Sequence, residues 1–230
     1  MNKRPYIICH MMISADGRID CDMTAQLKGV DEYYSTLDAL ETPTVLSGRV
    51  TAMLELALEG EFKPTNYEPY GKQDFSKKKD ASTSGYEIIV DTNGVLIWKN
   101  DEEYDAHHLI ITSEKVSKEY ISYLDSKNIS WIVCGKEKID LVKAVEILAE
   151  KFGVNRMSIV GGGHINGGFL DAGLIDEVSL LIGAGIDGRE GMAAVFDGLP
   201  KNRKPIPLKL KSVQSYDSGA VWIRYLVSSL

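Results

Sequence analysis

Apolar and polar residues alternate along the chain in a way that divides it into short strand-like runs and amphipathic segments. Tyr6–Ile13 is almost continuously apolar, the pattern of a strand buried on both faces in the middle of an α/β sheet. Asp16-Gly17 then turns the chain. Over 30–40, Tyr33, Leu37 and Leu40 recur at helical spacing. Residues 44–47 predict a short strand ending at Gly48, and residues 51–58 have helix-forming composition. Residues 86–91, 108–112 and 129–134 predict three more strands, with a helix over 117–126 before the last. Asp140 is placed as the N-cap of a helix whose apolar face is Leu141, Val145, Leu148 and Phe152, and Gly153 is placed to close it. Residues 157–160 predict a strand, 165–172 a helix ending at Gly173, and 178–182 another strand. Near the end, 208–216 and 220–227 flank the Asp217-Ser-Gly219 turn and predict an antiparallel hairpin.

Strands alternating with helices imply a mostly parallel sheet with helices on both faces. The expected fold is therefore α/β: one three-layer domain over 1–230, with an antiparallel hairpin at its C-terminal end. Residues 60–85 interrupt the pattern. They hold two prolines and are rich in Lys and Ser, so they predict an exposed excursion. A lid and a disordered insertion both fit that composition.

Composition narrows the function. Apolar content of 44% and charged content of 26% describe an ordinary globular chain, and a core of this size needs no disulfide staples. A net charge of −7 without a basic stripe argues against a nucleic-acid partner. No apolar run reaches the length of a membrane span, and the N-terminus lacks the features of a signal peptide. Cys9, Cys21 and Cys134 are scattered without C-x-x-C spacing. They read as buried thiols in a reducing compartment, so a cytoplasmic location is expected. The four histidines show no metal-ligand spacing, and G-x-S-x-G is absent, which disfavours a serine hydrolase.

Three strand-to-loop junctions carry candidate chemistry. In the first, Gly161-Gly162-Gly163 stands between a strand and a helix. Bare backbone N–H groups at the positive end of a helix dipole suit a phosphate, whereas packing alone would leave the chain-entropy cost of three glycines unexplained. The run departs from G-x-G-x-x-G, with Asn166 where a third glycine would stand, and there is no Gly-Lys-Ser/Thr of a P-loop. The second is Gly48-Arg49-Val50-Thr51, where the planar fork of Arg49 and the Thr51 hydroxyl could take another phosphate. Two such sites fit a dinucleotide. The third is Ser14-Ala-Asp16-Gly17-Arg18, placed where open α/β sheets bind ligands but equally readable as an ordinary Asp-Gly turn.

Together these segments resemble the reductase domain of bacterial riboflavin biosynthesis, which shares its fold with dihydrofolate reductase. The block from Gly161 to Glu177 is similar to that family's Gly-Gly-x-x-x-Asn-…-Gly-Leu-[Val/Ile]-Asp-Glu signature. Ser14–Arg18 resembles its Ser-x-Asp-Gly-Lys, and Gly48–Thr51 its Gly-x-x-Thr. The resemblance implies NADPH as cofactor. Gly161, Gly162, Gly163 and Asn166, with His164 and Ile165 between them, would hold the pyrophosphate and nicotinamide side. Gly48, Arg49, Thr51, Thr112 and Ser113 would take the adenosine end. Ser14, Gly17, Arg18, Asp187 and Gly188 would face a small-molecule substrate, with Asp16 or Glu55 as catalytic carboxylates and no metal. In that pathway the substrate is a ribosylamino-pyrimidine phosphate whose ribose is reduced to ribitol. A homodimer is also implied. Departures sit in the substrate half: Val160 replaces a Glu, Arg18 a Lys, and Glu55-Leu56-Ala57 an Asp-Asp-Pro. No H-x-E or P-C-x-x-C of a zinc deaminase is present. A reductase of a pterin or other heterocycle, or a non-catalytic nucleotide-binding protein, fits the same loops.

Overall fold

The computed structural model describes residues 4–228, and these fall into two compact units. The first holds residues 43–157 together with the start of the chain. The second holds residues 6–42 and 158–230. The strands are β1 (Tyr6–Ile13), β2 (Thr44–Gly48), β3 (Asp74–Ser76), β4 (Tyr86–Val90), β5 (His107–Thr112), β6 (Ser130–Val133), β7 (Arg156–Gly161), β8 (Glu177–Ile182), β9 (Leu208–Ser215) and β10 (Val221–Val227). The helices are α1 (Cys21–Thr24), α2 (Val30–Asp38), α3 (Arg49–Glu55), α4 (Lys118–Ser126), α5 (Leu141–Phe152) and α6 (Gly163–Asp171).

In the first unit the strand order is β3-β6-β5-β4-β2, with β2, β4, β5 and β6 parallel and β3 antiparallel at the edge. Alternate residues of each strand serve opposite faces. Ile89 and Ile110 pack with Ala52 of α3 and with Tyr120, Ile121 and Leu124 of α4. Tyr86 points the other way and meets Phe152 of α5, ring centroids 5.6 Å apart. In the second unit the order is β7-β1-β8-β10-β9, with β1 and β8 parallel and the β9–β10 hairpin antiparallel. Leu181 packs against Val30 and Tyr33 of α2, while Val178, on the opposite face, lines a cleft with Leu170 of α6. Both units are thus helix–sheet–helix layers of an α/β fold, mostly parallel in the first and ending in the antiparallel hairpin in the second, as the pattern predicts.

The caps read from sequence form as expected. Asp140 accepts the Lys143 amide at 3.0 Å, and Gly153 adopts the left-handed conformation at φ 72°. Two expectations need correction. Cys21 is not buried: it is exposed in the short helix α1, whereas Cys9 and Cys134 are buried and all three are free. Burial pushes the Cys134 thiol up to about 12 and raises Cys9 still further.

Residues 60–85 are neither a disordered insertion nor a free lid, although many of their side chains are exposed. Phe62 stacks its edge on Tyr120 at 5.1 Å, and Tyr70 meets Trp131 at 5.7 Å. The Glu119 carboxylate accepts the successive Thr65 and Asn66 amides at 2.7 and 2.9 Å. β3 then pairs with β6. The few aromatics in this polar stretch are what dock it, and the strand it adds covers the β6 edge.

Candidate functional site

Within the second unit, loops leave the carboxyl ends of the parallel strands β1 and β8 and of β7, the neighbour of β1. That is where open α/β sheets place ligands. The loop after β7 is the glycine run, and its three glycines have three different reasons to be there. Gly161 adopts φ 140°, a conformation L side chains avoid. Gly163 opens α6, where an added Cβ would lie 2.3 Å from the Ala194 carbonyl oxygen. Gly162, the N-cap, has φ −97° and ψ −171°, which any residue adopts, and a Cβ there would meet no atom within 4 Å. Packing does not explain Gly162, whose peptide bond to Gly161 is cis. No side chain caps α6 either, so its first-turn amides and dipole face open space. A phosphate-bearing cofactor fits this cradle, and a side chain at 162 would fill it.

The segment 193–197 holds the cradle from behind. Asp197 donates its amide to the Gly163 carbonyl at 3.0 Å, and its carboxylate accepts the Ala194 amide at 2.9 Å. Asn166 is fully buried, and its Nδ2 donates to the Val195 carbonyl at 2.8 Å. Gly167 is needed because a Cβ would lie 2.0 Å from the Asp197 carbonyl oxygen. Asn166 therefore acts from behind the turn. His164 is exposed and Ile165 half-buried on the first turn of α6.

The loop after β1 is held from inside. Ser14 is buried; its hydroxyl donates to Asp16 Oδ1 at 2.6 Å and accepts the Arg18 amide at 3.0 Å. Gly17 supplies the turn at φ 82°. Arg18 donates to the Met192 carbonyl at 2.7 Å, and its backbone bridges Ala194. Asp16 also accepts the Asp187 and Gly188 amides, each at 3.0 Å. These hydrogen bonds, the Ser14 hydroxyl first, hold its carboxyl far below the usual range. Asp187 in turn takes Arg189 in a two-point ion pair. The assigned substrate residues Ser14, Gly17, Arg18, Asp187 and Gly188 thus lie in two loops joined by one carboxylate.

In the first unit, Gly48 is the N-cap of α3, with Arg49 exposed as its first residue and Thr51 half-buried in its first turn. Thr112 and Ser113 are fully buried, and both hydroxyls donate to the Thr92 carbonyl, at 3.0 and 2.9 Å. Their visible work is to hold the turn after β4. Glu55 ends α3, about 9 Å along the helix from Arg49. Desolvation raises its carboxyl.

Sequence reasoning passed over Glu87, on β4. Desolvation first, then repulsion from Glu55, pushes its carboxyl up to about 7. The available signal was one acid in the otherwise apolar run YEIIV. Asp176 and Glu177, the end of the most specific sequence block, prove structural. Asp176 accepts the Ile7 amide at 2.8 Å, and the buried Glu177 collects Arg224 at 2.5 Å, Lys211 at 2.7 Å and Tyr6 at 3.0 Å. Val160 is half-buried on β7.

The sheet order, the C-terminal antiparallel hairpin and the glycine turn at the strand ends fit the dihydrofolate-reductase-like class. The chain belongs to the RibD C-terminal domain family, whose model matches residues 5–222. A pyrimidine reductase-like protein from Corynebacterium diphtheriae superposes with a TM-score of 0.73 at 16% identity, covering 98% of this chain and 92% of that one. The riboflavin biosynthesis reductase Rib7 of Saccharomyces gives 0.63 at 17% identity, covering 99% and 92%. RibD from Acinetobacter baumannii gives 0.66 at 17% identity, covering 98% of this chain but only 58% of that one. Among the described residues no helix is long and apolar enough to cross a membrane, and no group of three or more His, Cys, Asp or Glu is placed to hold a metal ion.

Proposed function

We propose that this protein is an NADPH-dependent reductase of a small heterocyclic substrate, with 5-amino-6-(5-phosphoribosylamino)uracil as the substrate of first choice. The observation that carries the reading is the α6 N-terminus: it has no side-chain cap, and the space in front of Gly162 is open. Membership of the RibD C-terminal domain family supports it. In this reading the turn Gly161–Gly163 and the first turn of α6 hold the pyrophosphate. Arg49 and Thr51 serve the adenosine end, and the two loops joined by Asp16 face the substrate. The bound nicotinamide supplies hydride.

The protein supplies position and a proton. Asp16 is an acceptor on three sides and held ionised, so it is poorly suited to donate. Glu55 and Glu87 keep the proton better, since burial of both, and repulsion of Glu87 by Glu55, favour the neutral form. Val160, where the riboflavin reductases carry Glu, favours a second reading in which the heterocycle is a pterin or a related ring. The working protein is a cytoplasmic homodimer, with no nucleic-acid or membrane partner.

The test is to follow NADPH oxidation with the ribosylamino-pyrimidine phosphate and, separately, with dihydropterins, alongside a fluorescence titration of NADPH. Turnover of the pyrimidine supports the first reading. Turnover of pterins alone selects the second. NADPH binding without turnover on either points to a nucleotide-binding role, and absence of binding removes the reductase reading.

A further inference from the structure

Two of the three strand-end loops are joined by a single carboxylate. Asp16 Oδ1 accepts the Asp187 amide at 3.0 Å and the Ser14 hydroxyl at 2.6 Å, while Oδ2 accepts the Gly188 amide at 3.0 Å. Two consecutive N–H groups on one carboxylate fix both the place and the tilt of the peptide units that carry them. From the backbone side, the Ala15 amide donates to the Gly185 carbonyl at 2.7 Å. The loop is thus pinned at 185, 187 and 188. The residue left between the pins is Ile186, whose side chain is 78% exposed. It is apolar and stiff at χ1, and it stands on an immobilised backbone at the carboxyl ends of β1 and β8.

We propose that Asp16 is a positioning residue that holds the 185–188 loop so that Ile186 forms an apolar wall for the planar heterocycle of the substrate. The proposal rests on the reductase reading above. It gives the Asp of Ser-Ala-Asp-Gly-Arg no proton to transfer. A carboxylate that already accepts three donors has three of its roughly four acceptor sites committed and is held ionised, whereas a general acid needs a proton free to reach the substrate. The specificity contact is then made by a residue that carries no chemistry of its own.

Two measurements test this with separate outcomes. The first needs no activity: amide hydrogen exchange of the wild type and Asp16→Asn. The Asn amide can accept one of the two backbone N–H groups but not both. Exchange of the Asp187 and Gly188 amides should therefore speed up by about tenfold or more, with the β1 and β8 amides unchanged. Unchanged exchange at 187 and 188 overturns the clamp. The second is steady-state kinetics with NADPH and the ribosylamino-pyrimidine phosphate. Asp16→Asn should raise the substrate KM about tenfold while kcat stays within about threefold and the pH profile keeps both limbs. Ile186→Ala, at an exposed site that leaves folding intact, should raise KM several-fold. Ile186→Leu should restore most of that loss, and Ile186→Ala should add little in the Asp16→Asn background, because both act through one loop. A collapse of kcat with loss of one pH limb in Asp16→Asn identifies a general acid and overturns the positioning role. If the wild type neither binds nor reduces the pyrimidine, the functional reading fails and the Ile186 contact fails with it, while the exchange data still decide the clamp.

Discussion

Single residues here are placed by what their polar atoms can reach. Carboxylates pin consecutive backbone amides three times: Asp16 at 187–188, Asp91 at 95–96 and Glu119 at 65–66. For Asp16 and Glu119 nothing in the local sequence marks the acid for that task, because the partner lies elsewhere in the chain. Gly162 is the opposite case: a Cβ there would meet no atom within 4 Å. Gly162→Ala, whose Cβ has free space, should weaken NADPH binding by at least about tenfold in a fluorescence titration while circular dichroism shows the fold retained. His10 is fully buried on β1 and stacked on Tyr33 at 4.9 Å. Trp222 donates to Ser179 Oγ at 2.8 Å, leaving the Ser179 hydroxyl to donate to His10 Nδ1 at 2.9 Å. Thr36 gives its proton to the Tyr33 carbonyl, so it accepts from His10 Nε2–H at 3.3 Å. This places the neutral imidazole proton on Nε2. Burial lowers the His10 pKa from 6.5 to about 4. The unfolded chain therefore binds the proton first as pH falls. The stability from neutral His10 is complete above about pH 6.5 and lost towards pH 4, amounting to about 3 kcal/mol. Urea titrations across this range should show that slope in the wild type and not in His10→Gln.

Elements form where the local pattern and the tertiary partner agree. α5 has a side-chain N-cap, an apolar face and a C-terminal glycine, so it was legible to within a residue. α6 begins two residues before the predicted start, because Gly163 and His164 have no helical signature and become helical only when 193–197 packs over them. Residues 60–85 show the strongest tertiary override. Their docking depends on Phe62 and Tyr70 meeting α4 and β6, partners more than fifty residues away. Phe62→Ala should cost about 2 kcal/mol, below the full value for a buried Phe because the ring is half-exposed. It should also raise proteolysis within 60–75. Equal stability and unchanged cleavage would mean that the hydrogen bonds from Glu119 suffice.

At the scale of the whole molecule, a ligand that binds only the folded chain raises its stability. A ligand at about 100 times its Kd adds about 2.7 kcal/mol, which for a chain of this length raises Tm by roughly 5–10 °C. NADPH should produce such a rise and NADH much less. Equal shifts would remove the preference for the 2′-phosphate, and no shift would remove the cofactor. The β9–β10 hairpin leaves Leu208, Leu210 and Val213 exposed, an apolar stretch on an edge strand that a second copy would cover. Light scattering should give twice the mass of one 25.4 kDa chain. A monomer would set aside the dimer.

The sequence by itself determined the order and type of most elements, the glycine turn, and the family, because these depend on spacing within a few residues. Only the tertiary structure decided which polar groups are already spent. Thr112 and Ser113 on the Thr92 carbonyl, and Asp16 on the Asp187 and Gly188 amides, all read as candidate site residues in one dimension. The same limit hid Glu87, whose raised carboxyl comes from burial and from Glu55, thirty-two positions earlier. Local pattern fixes backbone conformation. Protonation, and the hydrogen bonds still open to a ligand, depend on neighbours that folding brings from far along the chain.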